Sequence, residues 1–187
     1  MAVDLVYETH SISVDNETGH ATGWLSGELS ERGIALAAEL GDRRRDDGLA
    51  VVFTSDLRRA TQTADVAFAG TAIPVRADAR LRECDYGDWN GAPLERIEPE
   101  RPRRVDTPFP GGQSYRDVVD RMAGFLADLA RDWDGRRVLV IGHAATRWSL
   151  QHLLDGEALV ALVQAPFAWR PGWHFVVPTG WRRPPVA

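Results

Sequence analysis

Short apolar runs alternate with amphipathic helical patterns along this sequence, and few folds accommodate that alternation. The runs predict strands at Val3–Tyr7, Leu49–Phe53, Ile73–Val75 and Val138–Ile141, with a last edge strand at His174–Val177. Helical patterns follow Ser30 and Asp56, and the strongest follows Ser114 and buries Val118, Met122 and Phe125 on one face. Strands that alternate with helices predict an α/β fold, here a three-layer α/β/α sandwich with a mostly parallel central sheet.

Composition narrows the class of protein. A length of 187 residues fits a single domain over 1–187, and the 44% apolar content excludes a disordered chain. The formal net charge of −5 argues against a nucleic-acid-binding module, which would carry a basic face. All 22 basic residues are arginine, so the chain contains no lysine for a Schiff base, a lysine nucleophile or a P-loop.

The cysteine count and the N-terminal segment indicate the cellular context. Cys84 is the sole cysteine, so no internal disulfide is possible and a cysteine-based zinc site is disfavoured. Residues 1–10 have no basic region and turn polar at Glu8, unlike a signal peptide, and no window has 18 uninterrupted apolar residues. We expect a cytoplasmic protein, monomeric or homodimeric, with neither a membrane nor a nucleic acid as partner.

Polar residues follow the predicted strands at the points where ligands bind in sheets of this kind. His10 follows the first strand, the segment 55–59 follows the second, and His143 follows the strand at 138–141. Because ligands sit beyond the carboxyl ends of parallel strands, two histidines and an arginine-bearing helix start are expected to share one crevice. The long segment Arg82–Gly112 is predicted to be an irregular functional loop, and it contributes Glu83.

Four blocks of sequence occur in the order found in one enzyme superfamily. Residues 55–64 read Ser-Asp-Leu-Arg-Arg-Ala-Thr-Gln-Thr-Ala, and residues 81–91 read Leu-Arg-Glu-Cys-Asp-Tyr-Gly-Asp-Trp-Asn-Gly. Residues 110–114 read Pro-Gly-Gly-Gln-Ser before a helix, and residues 138–143 read Val-Leu-Val-Ile-Gly-His. This pattern resembles the histidine phosphatase superfamily, which includes cofactor-dependent phosphoglycerate mutases and many small-molecule phosphatases. The resemblance covers most of the chain and implies a phosphoglycerate mutase-like fold.

The resemblance implies a role for each of four side chains. His10 would attack phosphorus and carry the phosphoryl group, which divides one difficult displacement into two easier ones. Arg59 would bind the phosphoryl oxygens through its planar fork, and His143 would donate to the same oxygens. Glu83 would protonate the leaving oxygen and then deprotonate the attacking water. The resemblance implies neither a metal nor a cofactor.

The opening block departs from the superfamily pattern. Where Arg-His-Gly is expected, residues 9–11 read Thr-His-Ser, so Thr9 replaces the arginine that would grip the phosphoryl group. Losing one charged hydrogen bond costs about 1.5–3 kcal/mol, which corresponds to a rate or binding constant lower by roughly 10- to 150-fold. Thr9 and Ser11 are expected to line the site by position. Asn16 falls where the superfamily often has a phosphate-contacting asparagine, and Ala144 replaces a glycine after the second histidine.

Three interpretations of the missing arginine remain open. Arg58 or Arg147 replaces it; or the substrate is less charged, or the reaction has changed; or the chain is a non-catalytic phospholigand-binding protein. The retained Glu83 argues against the last, because a binding site has little use for an acid. We predict a phosphatase that hydrolyses a small-molecule phosphate monoester through a phosphohistidine. A phosphoglycerate mutase is less favoured, because 187 residues leave little room for insertions around a bisphosphate cofactor.

Overall fold

The computed structural model describes residues 1–183. The strands are β1 (Val3–Thr9), β2 (His20–Ala21), β3 (Val51–Thr54), β4 (Val75–Ala77), β5 (Ala92–Pro93), β6 (Arg137–Gly142) and β7 (Trp173–Val177). The α-helices are α1 (Val14–Glu17), α2 (Glu31–Arg44), α3 (Arg58–Ala67), α4 (Leu94–Ile97), α5 (Tyr115–Asp132), α6 (Ala144–Leu150) and α7 (Leu159–Gln164).

A five-stranded sheet in the order β4-β3-β6-β1-β7 forms the centre of the molecule. Strands β4, β3, β6 and β1 are parallel to one another, and β7 pairs with β1 in the antiparallel sense at the edge. Thr9 lies opposite Gly142, and Thr54 lies opposite Ile141, so β1, β3 and β6 end together. The predicted mostly parallel sheet and the predicted edge strand are confirmed.

Helices pack on both faces of this sheet, against side chains that alternate along each strand. Val3, Leu5 and Tyr7 of β1 pack in the cluster that contains the apolar face of α5. Val6, between them, packs in the second cluster with Leu40 of α2 and the alanines of α3. Successive residues of a strand point to opposite faces. The strand therefore separates two cores, and the predicted α/β/α sandwich is confirmed.

Some predicted element bounds were wrong. The segment 82–112 is not irregular throughout: it contains β5, α4 and 3-10 turns at Gly87–Trp89 and Glu98–Arg104. The first strand continues through Thr9 because pairing with β6 satisfies its backbone groups, although the side chains there are polar. None of the helices within 1–183 combines the length and the apolar character needed to cross a bilayer.

Candidate active site

The end of β1 fixes the position and the tautomer of His10. Its backbone N–H donates to the Gly142 carbonyl at 2.8 Å, which continues the pairing with β6. The ring Nδ1 lies 2.6 Å from the Ser11 carbonyl oxygen. Because a carbonyl only accepts, Nδ1 carries the proton and Nε2 keeps its lone pair. Nε2 of His10 is therefore the ring nitrogen that can act as a nucleophile.

Arg59 lies between the two histidines. It is the second residue of α3, and only 2% of it is exposed. Its Nε donates to His10 Nε2 at 3.3 Å, and one terminal nitrogen lies 3.3 Å from His143 Nδ1. The carbonyl oxygens of Gly23 and Leu25 accept from the same guanidinium at 2.9 and 3.4 Å. The guanidinium of Arg59 is thus fixed between two rings, with no carboxylate partner in the part of the chain that the structure describes.

His143 is the N-cap of α6, and its backbone is held from two sides. The Tyr7 hydroxyl donates to the His143 carbonyl at 2.7 Å, and the His143 N–H donates to Thr146 Oγ1 at 3.0 Å. Since Arg59 can only donate, Nδ1 accepts and the ring proton lies on Nε2. Within residues 1–183, this buried Nε2 has no hydrogen-bond partner. The ring centroids of His10 and His143 are 4.9 Å apart, so a donor without a partner lies beside the nucleophile.

Both histidines are held in the neutral state. Burial, and then the charge of Arg59, lower the pKa of His10 to about 3. Burial also lowers the pKa of His143 well below its usual range, with Arg59 and His10 adding to the effect. An imidazole must be unprotonated to attack phosphorus, and this environment keeps it so at neutral pH.

Glu83 reaches the same place from the segment after β4. Its Oε1 accepts from the backbone N–H of Cys84 at 2.7 Å and from that of Ala145, in the first turn of α6, at 3.3 Å. Its backbone carbonyl accepts from Trp24 Nε1 at 2.7 Å and from an Arg121 terminal nitrogen at 2.8 Å. The carboxyl group is therefore held at one oxygen, while the other makes no hydrogen bond to residues 1–183.

The remaining predicted site residues lie around this centre with different contacts. Thr9 is buried at the end of β1, and Ala144 is the first residue of α6. The Ser11 hydroxyl donates to the Gly33 carbonyl at 2.7 Å, and the exposed Asn16 accepts from the Ser13 N–H through its Oδ1, which caps α1. The structure gives Ser11 and Asn16 structural partners, and their contact with phosphate stays a prediction.

The two arginines proposed to replace the missing motif arginine differ sharply. Arg58 is half-exposed and lies 3.7 Å from Glu28, at the surface. Arg147 is 7% exposed and lies over the rings of Phe167 and Trp173. Neither guanidinium hydrogen bonds to His10 or His143.

Sequence reasoning missed the residues that orient the site. Tyr7 and Thr146 fix the backbone of His143, and Trp24 and Arg121 hold the backbone of Glu83. Tyr7 sits in an apolar run that predicts only a buried strand, and Arg121 sits in a helix. The contacts of Tyr7, Trp24 and Arg121 span 38 to 136 positions of sequence, for which no local signal exists, whereas Thr146 lies three positions after His143.

Comparison with known proteins agrees with this geometry. Residues 8–166 match the histidine phosphatase superfamily, branch 1. This chain belongs to that superfamily. The match includes both histidines, Arg59 and Glu83 within its bounds, as the order of the motifs implied.

Similar proteins include both mutases and phosphatases. A 2,3-bisphosphoglycerate-dependent phosphoglycerate mutase of Methylobacterium is 34% identical over 81% of this chain and 80% of that enzyme. Phosphoserine phosphatase 1 of Hydrogenobacter thermophilus is 32% identical over 84% of this chain and 78% of that enzyme. The mycobacterial glucosyl-3-phosphoglycerate phosphatase superimposes with a TM-score of 0.76 at 27% identity, over 86% of this chain and 85% of that one. The fold is therefore phosphoglycerate mutase-like, and phosphatases are among the relatives.

Proposed function

We propose that this chain is a phosphatase that hydrolyses a small-molecule phosphate monoester through a phosphohistidine at His10. The observation that carries the proposal is the arrangement of one arginine between two neutral histidines. Arg59 contacts His10 Nε2 and His143 Nδ1, both at 3.3 Å, so one phosphoryl group at Nε2 can meet both a guanidinium and an imidazole.

In the first step, the lone pair of His10 Nε2 attacks phosphorus. The new N–P bond forms as the bond between phosphorus and the leaving oxygen breaks, and the carboxylic acid of Glu83 gives its proton to that oxygen. Arg59 donates to the equatorial oxygens, whose charge must be stabilised in the transition state. The proton on His143 Nε2, which has no partner within residues 1–183, is the second donor.

In the second step, water replaces the histidine. The Glu83 carboxylate, now deprotonated, takes a proton from the attacking water, the N–P bond breaks, and phosphate leaves. The imidazole of His10 regains its lone pair, and the proton on Nδ1 stays on that nitrogen throughout, hydrogen-bonded to the Ser11 carbonyl.

The test is turnover of a generic aryl phosphate together with trapping of the intermediate. We expect wild type to release phosphate, His10→Ala to lose it, and rapid alkaline quenching to show one base-stable, acid-labile phosphohistidine by mass spectrometry. His174→Ala, an exposed histidine on the edge strand, is the matched control and keeps full activity. Turnover that persists in His10→Ala would overturn the proposal.

Two other functions are distinguished by the same preparation. A mutase would move the phosphoryl group to a second hydroxyl, so 3-phosphoglycerate with 2,3-bisphosphoglycerate would isomerise faster than it releases phosphate. A non-catalytic binding protein would bind an aryl phosphate in calorimetry and release none. We expect phosphate release to exceed isomerisation. Thr9→Arg adds a further comparison, because a gain from that substitution would mean that the machinery is intact and selects another substrate.

A further inference from the structure

Arg147 is a buried cation that forms no ion pair with an acidic side chain of residues 1–183. Its side chain is 7% exposed, and its Nε makes no hydrogen bond to residues 1–183. Burial lowers its pKa, and the carboxylates that act on it, Glu83 and Glu157, do so only at a distance. Burying an unpaired charge is costly, so a side chain retained in this state calls for a counterion that binds from outside.

Two aromatic rings hold the guanidinium in place. Its Cζ lies 5.3 Å from the centroid of Phe167 and 4.8 Å from that of Trp173. Cation–π contacts of this kind offset part of the desolvation, but they satisfy none of the five N–H donors of arginine. A planar carboxylate matches such a fork with two parallel hydrogen bonds.

The topology places this cluster beside the candidate active site. The Arg147 N–H donates to the His143 carbonyl at 3.1 Å, so Arg147 lies one helical turn from the second histidine. On the other side, β7 runs antiparallel to β1 with Trp173 opposite Tyr7. The segment 165–172, which precedes β7, therefore lies near the carboxyl end of β1, which His10 follows.

A second arginine shares the same ring. Arg170 is exposed, and its Cζ lies 5.0 Å from the centroid of Trp173. Phe167 and Trp169 are 50% and 58% exposed, which gives the segment 165–172 an apolar surface around the two cations. Neither guanidinium hydrogen bonds to the two histidines or to Arg59. The pair is therefore separate from the phosphoryl site and would meet a different part of a substrate.

We propose that Arg147, assisted by Arg170, binds a carboxylate on the leaving-group portion of the substrate. The preferred substrate is then a phosphate monoester whose alcohol carries a carboxylate, with the half-exposed ring of Phe167 moving aside to uncover the guanidinium. This specificity rests on the phosphatase function proposed above. It also explains how a site that has Thr9 in place of the motif arginine retains binding energy for its substrate.

The test uses two pairs of substrates that differ at the carboxylate alone. O-phosphoserine is compared with O-phosphoethanolamine, and 4-carboxyphenyl phosphate with its neutral 4-carbamoyl analogue. We expect wild type to prefer the carboxylate member of at least one pair by about 10-fold or more in kcat/KM. Arg147→Met removes the preference by raising KM for that member, leaves its kcat and the uncharged member within about twofold, and Arg170→Gln weakens the preference.

A matched control and a stability readout separate binding from a structural role. Arg76, on the edge strand β4 at the opposite side of the sheet from β7, also stacks on a tryptophan, with its Cζ 5.3 Å from the centroid of Trp133, and Arg76→Met keeps the preference. Because the cation is unpaired, Arg147→Met is expected to melt at or above the temperature of wild type. A lower melting temperature with both members of each pair slowed equally would overturn the proposal, as would a wild type with no preference.

Failure of the phosphatase function gives a different pattern. If wild type hydrolyses none of the four compounds, the proposed function fails, and calorimetry with the same compounds tests the subsite alone. Tighter binding of the carboxylate members that disappears in Arg147→Met would support the subsite on a binding protein. Equal binding of both members of each pair would overturn it.

Discussion

The Nε–H of Arg59 donates to Nε2 of His10 across 3.3 Å, at the nitrogen proposed to carry the phosphoryl group. The guanidinium thus lies on the approach to the nucleophile. When phosphorus takes that position, the same N–H groups lie within reach of the phosphoryl oxygens. The hydrogen bond therefore positions Arg59 in advance for the charge that develops in the transition state.

Replacing Arg59 tests this arrangement. Arg59→Met is expected to lower kcat/KM by roughly 10- to 150-fold, the range for one charged hydrogen bond. Arg59→Lys restores little, because a single ammonium cannot reach His10 and His143 together as the fork does. Because the Arg59 charge helps to lower the pKa of His10, an NMR titration should show that pKa rise in Arg59→Met. Arg58→Lys, next to it but half-exposed, is the control, and an equal loss there would contradict the assignment.

The role of Glu83 predicts a dependence on the leaving group. Glu83→Gln cannot protonate a leaving alkoxide, so alkyl phosphates should lose about 100-fold or more in kcat/KM. A nitrophenolate leaves without a proton, so 4-nitrophenyl phosphate should still phosphorylate His10. Stopped-flow measurement should then show a burst of one nitrophenol per protein followed by slow turnover, because the base for the second step is missing. Glu39→Gln, an exposed carboxylate on α2, should behave as wild type, and equal losses for both substrates would argue against acid catalysis.

The neutral state of His10 has a consequence for stability. Its pKa is lowered from an ordinary 6.5 to about 3 in the folded protein, so below pH 6.5 the unfolded chain binds the extra proton. The free energy of unfolding therefore decreases as the pH is lowered through this window, by up to about 1.4 kcal/mol per pH unit for one histidine. Urea titrations between pH 6.5 and 4 should show a shallower dependence of the unfolding free energy on pH in His10→Gln, whereas His20→Gln, at an exposed histidine whose ring contacts Thr18, keeps that of wild type. An unchanged slope in His10→Gln would contradict the lowered pKa.

The sequence predicted where the candidate site residues meet better than it predicted the contacts that hold them there. His10 and His143 directly follow apolar runs, and the edge where parallel strands end is fixed by topology, so their meeting could be anticipated. Arg59 and Glu83 were found through motif spacing. In each of these cases the residue lies at a position that local pattern defines.

The supports of the site could not be predicted because they depend on packing between distant segments. Trp24 reaches the carbonyl of Glu83 across 59 positions, and Tyr7 reaches that of His143 across 136. An aromatic residue in an apolar run predicts burial, but its hydroxyl or indole partner is determined only when the layers assemble. The same holds for Arg147, whose burial between two rings follows from the path of residues 165–172 along the sheet edge.

A buried ion pair next to the site gives the last prediction. Glu8 is 1% exposed, two residues before His10, and its Oε1 accepts from Arg44 Nε at 2.9 Å. Another nitrogen of the same guanidinium donates to the Pro171 carbonyl at 3.1 Å, which ties the segment 165–172 to α2.

Removing Arg44 leaves the buried carboxylate of Glu8 with only a longer contact, to Arg43 at 3.9 Å. Arg44→Met should therefore lower the free energy of unfolding by about 3–5 kcal/mol in urea titration, the range for a broken buried pair. The double variant Glu8→Gln/Arg44→Met should recover most of that loss, since no bare carboxylate remains. Arg103→Met, whose ion pair lies at the surface, should change stability little. Were the double variant no more stable than Arg44→Met, the loss would come from the other partners of Arg44, the Pro171 carbonyl and Asp47, and not from the charge of Glu8.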